Sequence, residues 1–254
     1  MKGVSYTTIL ALAPIRSKPS HQAEMTSQLL FGECVMVLRT QSQDWCEVVC
    51  NNDNHKGWMN ISQLLEMSER NAVAYCLDLI DTVFADRSST LISLGAELAE
   101  FDGMTSSIGG KKFRFSGQAV QKEMLNAHDE MVEKISRKLL NVPFVAGGKS
   151  PLGIDNGGFI QLVFKCIGIL LPRDIASQSK EGNTIDFINA VKIGDIVFFS
   201  QSSELITHAG IAISDNQIIH VSGYVRIDKI DHYGIFNSEI EQYTHRLKII
   251  KRLY

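Results

Sequence analysis

Residues 140–178 read LNVPFVAGGKSPLGIDNGGFIQLVFKCIGILLPRDIASQ, and the fold of the second half of the chain turns on this stretch. Pro143 stops any helix arriving from the N-terminal side. A glycine-rich loop follows, from Ala146 to Gly153. Then comes a nearly all-apolar run, Phe159 to Ile169. A helix apolar on every side belongs inside a protein, so the run predicts a buried helix. Asp155 stands just ahead of it, where a side-chain acceptor caps free N–H groups. Pro172 ends the run, and Arg173 and Asp174 read as a turn after it.

Working outward, Met124, Met131, Val132, Ile135 and Leu139 recur at helical spacing and predict a helix over 121–140 with these residues in its core face. Downstream come KIGDIVFF (192–199), ITHAGIAI (206–213) and IIHVSGYVRIDKI (218–230). They predict strands at Asp195–Phe199, His208–Ile213 and Gln217–Val221, with a last strand at Leu247–Leu253. Helices and strands together make 121–254 an α+β domain. If Ser214, Asp215 and Asn216 form a three-residue hairpin loop, Gly210 opposes His220. His208 and His220 are then diagonal neighbours on one face, roughly 7–8 Å apart at Cα. A two-residue loop would send them to opposite faces.

The first quarter is different in kind. Short apolar runs alternate with turn signals: APIRSKPS (13–20), QLLFGECVMVL (28–38), DWCEV (44–48) and KGWMN (56–60). This spacing predicts a small all-β barrel or sandwich over 1–65. A second unit of the same kind, degenerate in sequence, is expected over 66–120. It rests on Leu91–Ala96 and on Lys111–Phe115 after Gly109-Gly110. Lys111, Lys112 and Arg114 interleaved with Phe113 and Phe115 read as one solvated strand face.

The chain has 254 residues, 44% of them apolar, with five prolines and a net charge of −3. It can bury cores and is not of the disordered class. No basic stripe points to nucleic acid. No apolar run approaches the roughly 20 residues of a membrane span. Five cysteines, Cys34, Cys46, Cys50, Cys76 and Cys166, form no CxxC pair and have no histidines at zinc spacing, so neither a metal nor a cofactor is expected. They mostly lie in apolar runs and read as reduced core residues, which favours a cytoplasmic setting. The run Ile9–Ala13 is shorter than the roughly 7–15 residues of a signal-peptide core and reads as a first strand. The setting would be periplasmic if a leader had been trimmed.

In order and spacing, the strings from 140 onward are similar to those of the NlpC/P60 family. These are papain-like cysteine peptidases of murein stem peptides, with strings of the form PYxWGG, DCSGF, LPRD, GDLvFF, HVGI and iIHasg. The first quarter resembles the bacterial SH3-like domains that precede the peptidase in some members. The resemblance implies a nucleophile at the N-terminus of the buried helix, where free N–H groups and the macrodipole favour a thiolate. It makes His208 the base and His220 the residue that orients it. It places Phe144, Asp155, Gly157 and Arg173 around the cleft. In members with SH3-like domains, the residues flanking the cysteine help hold the amino end of a murein peptide.

The departures cluster at that site. Asn156 stands where the family keeps its cysteine, Gly157 where it keeps serine, Phe144 for tyrosine and Ala146 for tryptophan. A carboxamide is not ionisable and is a poor nucleophile, so the acyl-enzyme route lacks its first step. Cys166 lies ten residues along the helix, about 15 Å at 1.5 Å per residue, too far to substitute. Three readings stay open at this point. One is a homologue that binds murein-derived peptides without cleaving them. Another is a hydrolase of cell-wall peptides with altered chemistry at His208. The third is a protein-interaction module with a vestigial cleft.

Overall fold

In the computed structural model of the chain, residues 4–67, 73–201 and 205–254 are described. They divide into two compact units, Met1–Leu125 with Ala146–Pro151, and Asn126–Val145 with Leu152–Tyr254.

The first unit is all β. Its first sheet has the strand order Met25–Leu30, Leu12–Arg16, Lys56–Asn60, Trp45–Cys50, Cys34–Thr40, Ser5–Thr7, Leu65–Glu66. Period-two alternation builds it: along Trp45–Cys50 the residues Cys46, Val48 and Cys50 are buried while Trp45, Glu47 and Val49 are partly exposed. The inward set joins Tyr6, Ala13, Ile15, Leu29, Val35, Val37 and Met59 in one core. The Val, Ile, Leu and Met side chains among them each contribute about 1.5–3 kcal/mol by leaving water. The apolar run at Ile9–Ala13 does not form the strand expected of it; the strand begins at Leu12 and runs to Arg16.

Residues 73–121 form a four-stranded sheet (Ser88–Ser93, Ile80–Ala85, Lys111–Arg114, Thr105–Ile108) and a three-stranded one (Glu97–Ala99, Val73–Cys76, Ala119–Gln121). Lys111, Lys112 and Arg114 are exposed and Phe113 and Phe115 buried, so the alternation sorts charge from core. That core also takes in Phe31 and Cys34 of the first sheet, with Phe31 set edge-on to Phe113 at 5.3 Å. Gly32 (φ 78) makes this approach possible, since a Cβ there would overlap the Glu97 carbonyl.

Loop Ala146–Pro151, expected within the 121–254 domain, groups by its contacts with the first unit. The Lys149 amide donates to Gln28 Oε1 at 2.8 Å, and its ammonium reaches both Glu33 oxygens at 2.9 and 3.0 Å. Both side chains are nearly fully buried, and neither partner could be left there unpaired without large cost.

The second unit has its own sheet, antiparallel throughout, in the order Asn183–Ile185, Gln242–Arg252, Ile196–Ser200, His208–Ala212, Gln217–Ser222, Tyr224–Ile230, Gly234–Asn237. Strand Gln242–Arg252 also pairs with Gly234–Asn237, which closes six of the strands into a barrel. Helices are fewer and shorter than the expected α+β pattern: α1 (Asp129–Lys138), α2 (Asn156–Lys165) and α3 (Ile175–Gln178) are the α-helices among the described residues. The helix expected over 121–140 is cut to α1. Asp129 and Glu130 sit in its first turn and Arg137 and Lys138 in its last, matching the helix dipole at both ends. Residues 122–124 form a separate 3-10 turn, and Met124, expected in the core, is exposed. No helix among the described residues is long and apolar enough to cross a membrane.

All five cysteines are free and buried, spread over both units.

Candidate active site

Helix α2 begins three residues earlier than its apolar run, because Asp155 caps it. Asp155 is extended (φ −103, ψ 178), and its Oδ1 accepts from the Gly158 amide at 2.8 Å. Phe159, Ile160, Val163 and Phe164 are fully buried, which fixes the helix inside the unit. It packs on the strands that carry His208 and His220. Asn156 is its first residue, and the Oδ1 of that side chain is buried with no hydrogen-bond partner.

Around this first turn runs a clamp. Arg173 makes a two-pronged ion pair with Asp155, Nη1 to Oδ1 at 2.9 Å and Nη2 to Oδ2 at 2.7 Å. Read from sequence as a turn residue, Arg173 is in fact buried. Gln178 Nε2 donates to the carbonyls of Gly157 and Pro172, at 3.0 and 2.8 Å. Gly157 is pressed so close that a Cβ there would overlap the Arg173 carbonyl oxygen. Phe144 is about half exposed, and its amide donates to Gly223 O at 2.9 Å.

The histidine strands take the register of a three-residue loop: Gly210 opposes His220, and the Ile213 amide donates to Gln217 O. His208 and His220 therefore share a face, with rings 5.0 Å apart and His208 Nε2 2.8 Å from His220 Nδ1. His220 Nε2 in turn lies 2.8 Å from Asp228 Oδ2, and Arg226 Nη2 donates to Asp228 Oδ1 at 3.0 Å. Burial pushes the Asp228 carboxyl up, but the hydrogen bonds from His220 and Arg226 outweigh it and hold the group below its ordinary range.

With His220 neutral, the positions of the protons follow. An ionised carboxylate only accepts, so His220 Nε2 carries the hydrogen. In a neutral His220 ring Nδ1 then accepts, and His208 Nε2 donates to it. The His208 Nδ1 lone pair is left to take a proton. Burial, then the neighbouring His220 and His245, hold His208 well below 6.5, so it is neutral at neutral pH. The same face continues into the apolar cluster of Val197, Phe199, Ala212, Ile218, Ile230, Ile235 and Ile250, which is why these imidazoles are so dry.

Of the residues expected from sequence, the structure joins His208 to His220, and Asp155 to Gly157 and Arg173. Asp228, Arg226 and His245 were not foreseen. The first two could have been: in IIHVSGYVRIDKI a tight turn at Ser222-Gly223 pairs His220 with Arg226 and Ile218 with Asp228. His245 sends no local signal. Among the described residues no group of three or more His, Cys, Asp or Glu is arranged to hold a metal ion.

Residues 141–244 match the NlpC/P60 family, and residues 15–64 match the bacterial dipeptidyl-peptidase SH3 domain. The chain is 25% identical over 212 residues to the gamma-D-glutamyl-L-lysine dipeptidyl-peptidase of Bacillus subtilis (strain 168), covering 76% of this chain and 71% of that one. It is 32% identical over 96 residues to the enzyme of the same name from Bacillus cereus, covering 37% of this chain and 28% of the relative. To the murein DD-endopeptidase MepS/murein LD-carboxypeptidase of Escherichia coli (strain K12) it is 37% identical over 82 residues, covering 32% and 43%. In the last two the match spans less than half of the relative. Among solved structures, an NlpC/P60 family protein from Bacillus cereus shares the fold, with a TM-score of 0.82 at 18% identity over 98% of this chain and 99% of that one. The chain carries an NlpC/P60 family domain over residues 141–244, preceded by a bacterial SH3 domain over residues 15–64.

Proposed function

We propose that this chain is a homologue of the γ-D-glutamyl-diamino acid endopeptidases that has lost its cysteine nucleophile and binds murein-derived peptides without cutting them. One observation carries the reading: Asn156 is the first residue of α2, the position that the DCSGF motif gives to the cysteine. The carboxamide cannot form a thiolate, so no acyl-enzyme can start there. The relatives named for dipeptidyl-peptidase and murein endopeptidase activity supply the ligand class. Retention of the buried His208–His220–Asp228 chain supports a cleft kept for a ligand, because burying three polar side chains is costly without a use for them. Histidines bonded to side chains rather than to backbone speak against a vestigial cleft serving only a protein partner.

The test is a cleavage assay on L-Ala-γ-D-Glu-diamino acid peptides with the wild type and Asn156→Cys side by side. The variant is expected to cut and the wild type to bind without turnover. A second reading is favoured by the neutral His208: with its Nδ1 free, it could activate water while Asn156 donates to the oxyanion. Wild-type cleavage abolished by His208→Ala would establish that reading and end the first. If neither protein cuts or binds the peptides, both readings fail.

A further inference from the structure

His245 lies outside every motif that matches the family strings, yet it is in closest ring contact with the candidate base. It comes from strand Gln242–Arg252, far in sequence from His208, and is buried. Its ring lies nearly parallel to that of His208, with centroids 4.0 Å apart and planes 23° apart. His220 meets the same ring edge-on, at 81°. His208 is thus held from two directions, one partner bonded at its Nε2 and one laid on its face.

His245 has a side-chain partner of its own. Its Nδ1 is 2.9 Å from Thr244 Oγ1, and that hydroxyl points at the Ile235 carbonyl, 3.5 Å away. The contact with Nδ1 is the shorter of the two, and it anchors the His245 ring to its own strand. Burial, then the nearby His220, hold His245 down at about 4 against the opposing pull of Asp228. Two neutral rings stack without repulsion. An imidazole is a poor way to fill apolar space, since its polar atoms lose water there. Its use has to lie in what it touches.

We propose that His245 is a positioning residue for His208: its ring, laid face to face on the His208 imidazole, keeps that ring in the orientation where Nε2 meets His220 and Nδ1 stays free. The stack blocks rotation of the His208 ring about its Cβ–Cγ bond and keeps water off one face. The titratable groups against His208 are His220 and His245. Asp228 and Arg226 stand behind His220. Helix α2, packed on the same strands, carries one charged residue, Lys165, at its C-terminal end. This deepens the reading given under the proposed function, which supplies the reason to keep His208 poised, but its test needs no catalysis.

The experiment is nitrogen-15 NMR of the imidazoles in the full chain, with the wild type, His245→Phe and His245→Leu titrated from pH 4 to pH 8. Phe keeps a flat ring on His208; Leu keeps comparable volume and removes the ring, so the fold survives the comparison. In the wild type and His245→Phe, His208 is expected to show the Nε2–H tautomer alone and a midpoint well below 6.5. In His245→Leu both tautomers should appear, and the His208 midpoint should rise by a unit or more toward about 6.5, the value of an unperturbed imidazole. The proposal is overturned if His245→Leu leaves tautomer and midpoint as in the wild type, or if His245→Phe changes them as much as His245→Leu does. In the Asn156→Cys background, His245→Leu should lower kcat with KM nearly unchanged. If Asn156→Cys is itself inactive, the functional reading falls while the NMR result still decides the role of His245.

Discussion

A methyl group added at Gly157 would overlap the Arg173 carbonyl oxygen, so the loop after α2 occupies the volume that a serine side chain takes in the DCSGF motif. The bare position 157 and the close approach of the Arg173 backbone go together. The Arg173–Asp155 pair and the Gln178 bridge then hold the loop in place. Gly157→Ser is therefore expected to destabilise the second unit by about 1–3 kcal/mol, the usual cost of overpacking a tight site. Urea unfolding measures it. A neutral result would mean that the loop yields freely and the clamp is weak. Asn156→Cys carries no such penalty on backbone grounds, because position 156 already bears a side chain in this helix turn. The two back-substitutions should thus behave oppositely, and activity restored in Asn156→Cys should be lost again when Gly157→Ser is added.

At the level of elements, what sequence made legible was local. Asp155 as helix cap, the apolar helix behind it and the hairpin that pairs Gly210 with His220 all follow from residues within about ten positions of one another. Pro143 and the period-two runs did the same for the strands. What stayed hidden depends on the chain meeting itself far away. His245 reaches His208 only because strand Gln242–Arg252 closes the barrel, and no spacing in the sequence announces a closure. The helix over 121–140 was overdrawn because methionines at helical spacing look alike whether buried or exposed; Met124 is exposed. That loop Ala146–Pro151 groups by its contacts with the first unit is not legible locally, because the Lys149–Glu33 pair joins residues more than a hundred positions apart. The strength of that pair can be measured. Lys149→Met leaves Glu33 buried without its cation and should cost the first unit about 3–5 kcal/mol, while Lys149→Met with Glu33→Leu should recover most of it. Equal losses in the single and double variants would show that the ion pair is not what holds the loop.

Across the whole molecule, both units pack their own cores, and the cysteine thiols have gone into those cores. Burial pushes the Cys46 thiol up to about 11, and burial first, with Asp53 adding to it, pushes Cys50 higher still. The folded chain is in consequence blank to alkylating reagents, a protein with five thiols that counts as none. Native labelling with iodoacetamide, followed by intact mass, should find no adduct on the wild type and five after unfolding; adducts on the folded wild type would contradict the burial of all five. A cysteine placed at 156, at the open end of a helix dipole, would then be the one sulfur that reacts, and its rate of capture against pH would read out the electrostatics of that spot without any substrate at all.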